Sequence, residues 1–363
     1  MTTPALQRLR EALPGARITV LSHEKIGALW ERQPFVDEVV TFGAKDSVWR
    51  TGRRLREGAF DLGLALPNSF RAALEIWLAR VPRRVGYGGR GRNLLLTDVV
   101  PPRAGIVLMR KRPASEIKRL VAAGGAPQPV ARPSAHHLHN YLHLAAALGA
   151  SSEPMAPRIV VEEEEMTEAR RRFGLTADAR RPWFGLNPGA EYGPAKRWPP
   201  ERFVAAAVEI SRRIHCRWLI FGSAGYAEIA EAMANTIDKA TPGDHNSVLN
   251  LAGKTYLRNL CAAIKCCQLV VTNDTGPMHL ASAVGTPVVA LFGSTSPELT
   301  GPVSPQARIV RSATPCAPCF LRECPIDLRC LRQIEPETVV DAVLKLNAAF
   351  PGDSGSGQER LDH

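Results

Sequence analysis

Two stretches of this chain carry residue types that could handle a phosphate. The first is Asn273-Asp274-Thr275-Gly276-Pro277-Met278-His279-Leu280-Ala281. The apolar run at 269–272 predicts a strand ahead of it, and Asp274-Thr275-Gly276 predicts a turn. Pro277 falls in the first turn of the following helix, where a missing N–H is tolerated. The amides at such a helix start are unpaired and lie at the positive end of its dipole, so Thr275, Gly276 and the N–H groups after Pro277 could receive a diphosphate. Asp274 would then face sugar hydroxyls; the alternative is that it simply N-caps the helix. His279, one turn in, is a ligand or a satisfied core histidine. The second stretch is Pro188-Gly189-Ala190-Glu191-Tyr192-Gly193-Pro194-Ala195-Lys196-Arg197-Trp198-Pro199. Lys196 can set a point charge on a departing phosphate, or it is a solvated loop lysine.

The elements needed to present these residues are legible in the second half. Strand-like runs at 183–187, 217–221, 269–272 and 288–292 alternate with helical patterns at 200–213, 226–238, 257–266 and 277–284. Such alternation predicts a parallel sheet with helices on both faces. Each of the four strands ends in small, turn-forming residues: Asn187-Pro188-Gly189, Gly222-Ser223-Ala224-Gly225, the Asn273–Gly276 turn, and Gly293-Ser294-Thr295-Ser296-Pro297. The carboxyl ends of parallel strands share one edge, and ligands bind there. The glutamate run 162–165 predicts a solvated helix start near a positive dipole end.

In the first half, strands are expected at 18–21, 39–42 and 61–66, and helices at 4–11, 69–79 and 140–148. The Pro-, Gly- and Arg-rich region 81–133 shows no clear period. The Pro/Ser-containing stretch 149–157 predicts a linker, which gives domains at 1–150 and 151–350 and a polar tail at 351–363.

A 45% hydrophobic composition over 363 residues excludes a disordered chain and supports two cores. No apolar run approaches the ~20 residues of a membrane span, and 1–10 lacks the apolar centre of a signal peptide. Residues 1–150 hold 23 Lys and Arg against 11 Asp and Glu, and the remainder 23 against 24. The surplus suggests that the first half meets a polyanion, unless it reflects only arginine-rich codon usage. Nucleic acid is not expected as the partner, because no recognisable binding module is present and aromatic residues, at 6%, are too scarce for a stacking platform. Four of the eight cysteines cluster as Cys316-x2-Cys319-x4-Cys324-x5-Cys330. They could ligate zinc, remain free thiols, or pair as two disulfides. Cys216, Cys261, Cys266 and Cys267 are expected in the core.

The stretches at 273–279 and 188–199, together with Leu66-Pro67-Asn68-Ser69-Phe70, resemble the ADP-heptose:lipopolysaccharide heptosyltransferase family over nearly the whole chain. The resemblance implies an α/β fold of the GT-B type, with two Rossmann-like, doubly wound domains facing a central cleft. It implies an inverting transfer of heptose from ADP-heptose to the inner core of lipopolysaccharide, without metal or cofactor. By motif matching, Lys196 contacts the diphosphate or heptose, Asp274 faces the heptose, and Thr275 and Gly276 hold the diphosphate. Glu228 matches an acidic residue for the adenosine ribose, and Thr255 a position lining adenine. Asn187, Gly189, Ser223, Met278 and His279 complete the expected donor set. A lipid-anchored, phosphorylated acceptor is a polyanion, and Arg83, Arg84, Arg90 and Arg92 crowd between glycines in the basic half. Asn68, Ser69, Arg71 and Arg84 are the expected acceptor residues, although Asn68 or Ser69 would serve equally as a helix N-cap. The expected setting is the cytoplasm, in peripheral contact with the anionic inner face of the inner membrane.

Members of this family open with an apolar strand and a Trp-Ile/Val-Gly-Asp turn whose aspartate is the general base. Here Met1-Thr2-Thr3-Pro4-Ala5-Leu6-Gln7 resembles the start of the family's first helix. The expectation is that the sequence begins at an internal methionine, that the first domain lacks its first strand, and that the working protein is longer. The alternatives to a heptosyltransferase of this type are a catalytically degenerate sugar-nucleotide binder and a heptosyltransferase of another core step.

Overall fold

The computed structural model describes residues 1–89, 91–124, 132–176, 178, 180–241 and 247–350. The chain divides into two units, 1–108 with 132–160 and 109–131 with 161–363. The polar tail at 351–363 and Arg90 lie outside the described residues.

In the first unit, β1 (Thr19–His23) pairs in parallel with β2 (Glu38–Phe42), while β3 (Leu62–Ala65), β4 (Arg83–Tyr87) and β5 (Asp98–Val100) form a separate parallel sheet. Helix Thr3–Ala12 sets Ala5, Leu6 and Leu9 in one apolar cluster with Ala145 of helix Leu138–Ala146. The sequence region without a clear period holds β4, β5 and helix Ala114–Ala123. Short strands and arginine-rich turns hide the period there. The Ala114–Ala123 helix packs with the second unit, through Ile117 against Cys316 and Cys319. The first unit also extends to residue 160, beyond the expected linker. Gln33 explains why: its Oε1 accepts the Val160 N–H at 2.9 Å and its Nε2 donates to the Val160 carbonyl at 3.2 Å. With this division the first unit carries 19 Lys and Arg against 11 Asp and Glu, so part of the basic surplus moves with 109–131.

The second unit is a single parallel sheet of β6 (Trp183–Asn187), β7 (Arg217–Ile220), β8 (Val248–Asn250), β9 (Leu269–Asn273), β10 (Val288–Phe292) and β11 (Ala307–Arg311). Its spatial order is β11-β10-β9-β6-β7-β8. Counted from β6 as the first strand, this is the doubly wound 3-2-1-4-5-6 arrangement. The chain runs outward from β6 to β8, returns, and runs outward again from β9 to β11. The order therefore reverses between β6 and β9, the position beside which ligands bind at the carboxyl ends in sheets of this type.

Every residue of β6, β7, β9 and β10 is buried, as expected for strands covered on both faces. Phe184 meets Trp218 edge to face at 5.6 Å within this core. The expected glutamate-rich helix start is Glu163–Phe173, and its capping box is closed by the Glu162 N–H donating to Glu165 Oε2 at 3.0 Å. Glu165 is not solvated, because it pairs with buried Arg258 of helix Leu257–Lys265. Among the described residues, no helix is long and apolar enough to cross a membrane.

Gly185 is the tightest point of the central strand, since a Cβ there would lie 2.8 Å from Val270 Cγ2 and 2.9 Å from Phe221 Cε2. Gly185→Ala is expected to cost about 1–3 kcal/mol by overpacking. Urea unfolding checks this as a lower midpoint with an unchanged slope.

Candidate functional site

The two stretches expected from the sequence to handle a phosphate meet where β6 and β9 lie side by side. Lys196 Nζ lies 2.6 Å from Asp274 Oδ2, with side-chain exposures of 14% and 4%. The ammonium group also lies 4.9 Å from the centroid of the Tyr192 ring. Thr295, in the turn after β10, donates its hydroxyl to Asp274 Oδ2 at 2.6 Å. Three strand ends thus converge on one carboxylate.

One buried side chain holds the loop at this distance. Asn273 Oδ1 accepts the Trp198 N–H at 3.0 Å, and its Nδ2 donates to the Pro188 carbonyl at 2.7 Å. Both ends of the lysine loop are therefore fastened to the residue preceding Asp274. Asn187 adds a brace across the switch point, donating to Thr272 Oγ1 at 3.1 Å and to the Gly189 carbonyl at 3.3 Å. Trp198 is fully buried, donates Nε1–H to the Ile334 carbonyl at 3.0 Å and meets Phe203 edge to face. The middle of the loop rests on residues 320–322. Tyr192 Oη donates to the Phe320 carbonyl at 2.9 Å, and the Ala195 N–H donates to the Arg322 carbonyl at 2.9 Å. Gly193 has φ +152°, and a Cβ there would fall 2.5 Å from the Arg322 oxygen, so only glycine fits. Asn273 and Thr295 were not singled out as site residues by sequence reasoning. A buried asparagine closing a strand was the available signal for the first.

The N-cap role considered for Asp274 is displaced. Thr275 is the N-cap of helix Gly276–Val284 and makes no side-chain cap bond, while Asp274 faces Lys196. Gly276 is exposed, and nothing lies within 4 Å of the position a Cβ would take. Met278 is fully buried and its N–H bonds to the Thr275 carbonyl at 3.1 Å, so its side chain belongs to helix packing. His279 is half-buried one turn into the helix. Ser223 is exposed at the turn after β7, Glu228 is exposed in the first turn of helix Ala227–Ala240, and Thr255 is half-buried between β8 and helix Leu257–Lys265. Gly253, at φ +74°, brings these turns together: a Cβ would lie 2.8 Å from Ala224 Cα. The expected donor residues thus sit at the carboxyl edge of one sheet.

The residues expected to meet an acceptor are largely engaged within the first unit. Ser69 caps helix Phe70–Leu78, accepting the Ala72 N–H at 3.1 Å, and Asn68 is exposed beside it. Arg71 donates to Glu75 Oε1 at 2.8 Å and to the Asp46 carbonyl at 3.1 Å, with its guanidinium over Phe42. Arg84 donates to the carbonyls of Leu95, Val81 and Pro82 at 2.7, 2.5 and 3.3 Å. Arg92 donates to the Gly88 carbonyl at 2.6 Å, and Arg83 pairs with Asp98 at 3.2 Å. The guanidinium groups of Arg71, Arg84 and Arg92 thus donate to backbone carbonyls of their own unit. All eight cysteines carry free thiols. Burial pushes Cys216 and Cys261 up to about 12, which makes them inert core thiols, and Cys267 is buried with them.

Asn273→Ala leaves the Trp198 N–H and the Pro188 carbonyl without their side-chain partner. The expected loss is about 1–3 kcal/mol of stability, with faster proteolytic nicking within 188–198. Urea unfolding and limited proteolysis check the two effects separately.

The family model for glycosyltransferase family 9 (heptosyltransferase) matches residues 126–329. Lipopolysaccharide heptosyltransferase 2 of Escherichia coli K12 is 32% identical over 333 residues, covering 86% of this chain and 84% of that protein. Lipopolysaccharide heptosyltransferase 1 of Pseudomonas aeruginosa PAO1 is 25% identical over 338 residues, covering 89% and 83%. The solved structure of Escherichia coli ADP-heptose lps heptosyltransferase II matches with a TM-score of 0.74 and 28% identity, over 97% of this chain and 95% of that one. The α/β fold with parallel sheets is accordingly of the GT-B type. Family match, fold and the geometry of the β6/β9 crevice agree, and the chain belongs to glycosyltransferase family 9.

Proposed function

We propose that this chain transfers heptose from ADP-heptose to the inner core of lipopolysaccharide with inversion at the anomeric carbon, as a heptosyltransferase of type II. The observation that carries this proposal is the buried Lys196–Asp274 pair beside the open start of helix Gly276–Val284. A diphosphate entering there competes with Asp274 for the ammonium group and takes the free helix amides as further donors. As the bond from the anomeric carbon to the phosphate oxygen breaks, negative charge grows on the departing ADP, and Lys196 and the amides offset it. The acceptor hydroxyl oxygen forms the new bond from the opposite face of the sugar, and its proton passes to solvent water. Positive charge grows on the sugar ring meanwhile, and the carboxylate of Asp274, freed from Lys196, faces it. An ammonium group and oriented amides supply the charge that a divalent ion supplies in other transferases, so no metal is assigned to the transfer.

The ends of β7 and β8 take the nucleoside: Glu228 the ribose hydroxyls, Thr255 the adenine edge, and Ser223 a polar contact beside them. Gly189 and Gly276 let the backbone approach the ligand, and His279 stands one turn below the diphosphate. Asn187 acts through its brace on the 188–199 loop. The first unit takes the acceptor, with exposed Asn68 in direct contact and Ser69, Arg71 and Arg84 holding the segments around it.

A membrane-facing role for the first unit rests on helix Val48–Arg56. Trp49 is 69% exposed, and Arg53 and Arg56 follow it at spacings of four and three, on the face opposite buried Thr51 and Leu55. An exposed indole beside guanidinium groups suits the anionic headgroup layer on the cytoplasmic side of the inner membrane.

ADP release with ADP-heptose and a heptose-bearing core acceptor tests the chemistry. Lys196→Ala is expected to lower kcat by about 100- to 1000-fold, and Asp274→Asn to lower it by a similar factor. Glu228→Gln is expected to raise KM with little change in kcat. Full activity in Lys196→Ala would contradict the proposal, and tight ADP binding without any turnover would identify a binding module instead. Co-sedimentation with phosphatidylglycerol vesicles tests the membrane contact. Trp49→Ala combined with Arg53→Ala is expected to reduce binding several-fold, whereas equal binding to neutral vesicles would contradict it.

A further inference from the structure

We infer that Cys316, Cys319, Cys324 and Cys330 form a tetrathiolate site for one thiophilic metal ion, zinc or iron, whose role is structural. The four side chains, spaced x2, x4 and x5 in sequence, line a single cavity together with Ser294 and Ala195. Its free space, about 10 Å³, is that of one water-sized sphere. Cys316, Cys319 and Cys330 are buried and Cys324 is half-buried.

Burial raises the Cys316, Cys319 and Cys330 thiols, so without a metal they stay protonated, and three further features would support thiolates once a metal binds. Ser294 is 1% exposed, and its hydroxyl has no hydrogen-bond partner among the described residues. Such a donor gains one when a neighbouring sulfur becomes a thiolate. The Leu328 N–H already donates to Cys324 Sγ at 3.3 Å. Cationic side chains also stand close by: Arg329 lines the cavity, and Arg112 Nη1 donates to the Cys316 carbonyl at 3.3 Å. Four thiolates around a divalent ion carry a net charge of minus two, which these guanidinium groups offset only in part, since Arg329 pairs with Asp327 at 2.8 Å and Arg112 with Glu116 at 3.8 Å. Binding of the divalent ion forms four metal–sulfur bonds and releases four protons to solvent.

The backbone holding the cluster is pinned independently. The N–H groups of Cys319 and Phe320 both donate to the Ser294 carbonyl, at 3.0 and 2.7 Å, and the Ala317 N–H donates to the Thr314 carbonyl at 3.0 Å. With all four thiols free, the sulfurs have not closed into a cage. Among the described residues, no three Cys, His, Asp or Glu side chains are grouped at metal-binding geometry. Cys316 and Cys319 pack as small apolar groups with Ile117 in this state, and the inferred metal binding is accompanied by side-chain rotations that close the cage. The same segment supports the Lys196 loop through Phe320 and Arg322. Stiffening of that loop by the metal rests on the donor-site proposal, but the metal site itself does not.

The experiment is element-resolved mass spectrometry of the full chain, purified without metal-affinity steps. About one zinc or iron per chain is expected, falling to a tenth or less in Cys316→Ser and in Cys324→Ser, and retained in Cys261→Ser. Should the cluster variants fail to fold, mercurial titration of the wild-type chain gives the same information, because metal release must track modification of these thiols. Reconstitution with cobalt should yield thiolate-to-metal charge-transfer bands. Three results would overturn the inference: a wild-type chain without metal after anaerobic reconstitution, metal retained in every cluster variant, or an intact mass showing these cysteines as disulfides.

Discussion

The structure depends on an ion pair kept almost out of water. Burying a carboxylate and an ammonium group costs several kcal/mol each, and their mutual attraction compensates only with good geometry and further hydrogen bonds. Lys196 and Asp274 have both, at 2.6 Å and with Thr295 donating to the same carboxylate. Left alone, the pair is a charge-neutral plug at the sheet edge. Its composition matches the demands of glycosyl transfer from a nucleoside diphosphate, where an anion leaves and a cation develops beside it. A ligand carrying both charges can replace each member of the pair in turn.

Everything around the pair serves its placement. The strand order brings β6 and β9 together at the point where a doubly wound sheet reverses, which sets their carboxyl-end turns side by side. Asn187 and Asn273 then convert that adjacency into side-chain geometry by clamping the loop at its ends. Trp198 closes the loop against the core, and residues 320–322 carry its middle. Removing any of these leaves both charges in the chain but loosens the distance between them.

Much of this was legible in the residues. The strands at 183–187 and 288–292 agree with the structure to the residue, because a doubly covered strand is a continuous apolar run with turn residues at its end. The meeting of Lys196 with the Asp274 turn was expected from two separate motifs. Other features were hidden for physical reasons. The strands β8 and β11 lie at the sheet edges and are too exposed to show an apolar run, and β4 begins with two arginines. Charge counting alone overstated the open cations of the first half, because composition does not distinguish a free guanidinium from one that saturates backbone carbonyls, as Arg84 does. Nor does it assign 109–131 to the second unit, a matter of long-range packing by Ile117.

Calorimetric titration of the full chain with ADP, AMP and adenosine tests the central claim most directly. If the Lys196–Asp274 crevice grips a diphosphate, ADP binds about tenfold or more tightly than AMP or adenosine, since a charge-assisted contact is worth roughly 1.5–3 kcal/mol. That preference should fall by about tenfold in Lys196→Ala, the helix amides retaining the remainder, while adenosine binding is unchanged. Equal affinity for all three ligands in the wild-type chain, or an ADP preference that is undiminished in Lys196→Ala, would contradict the account.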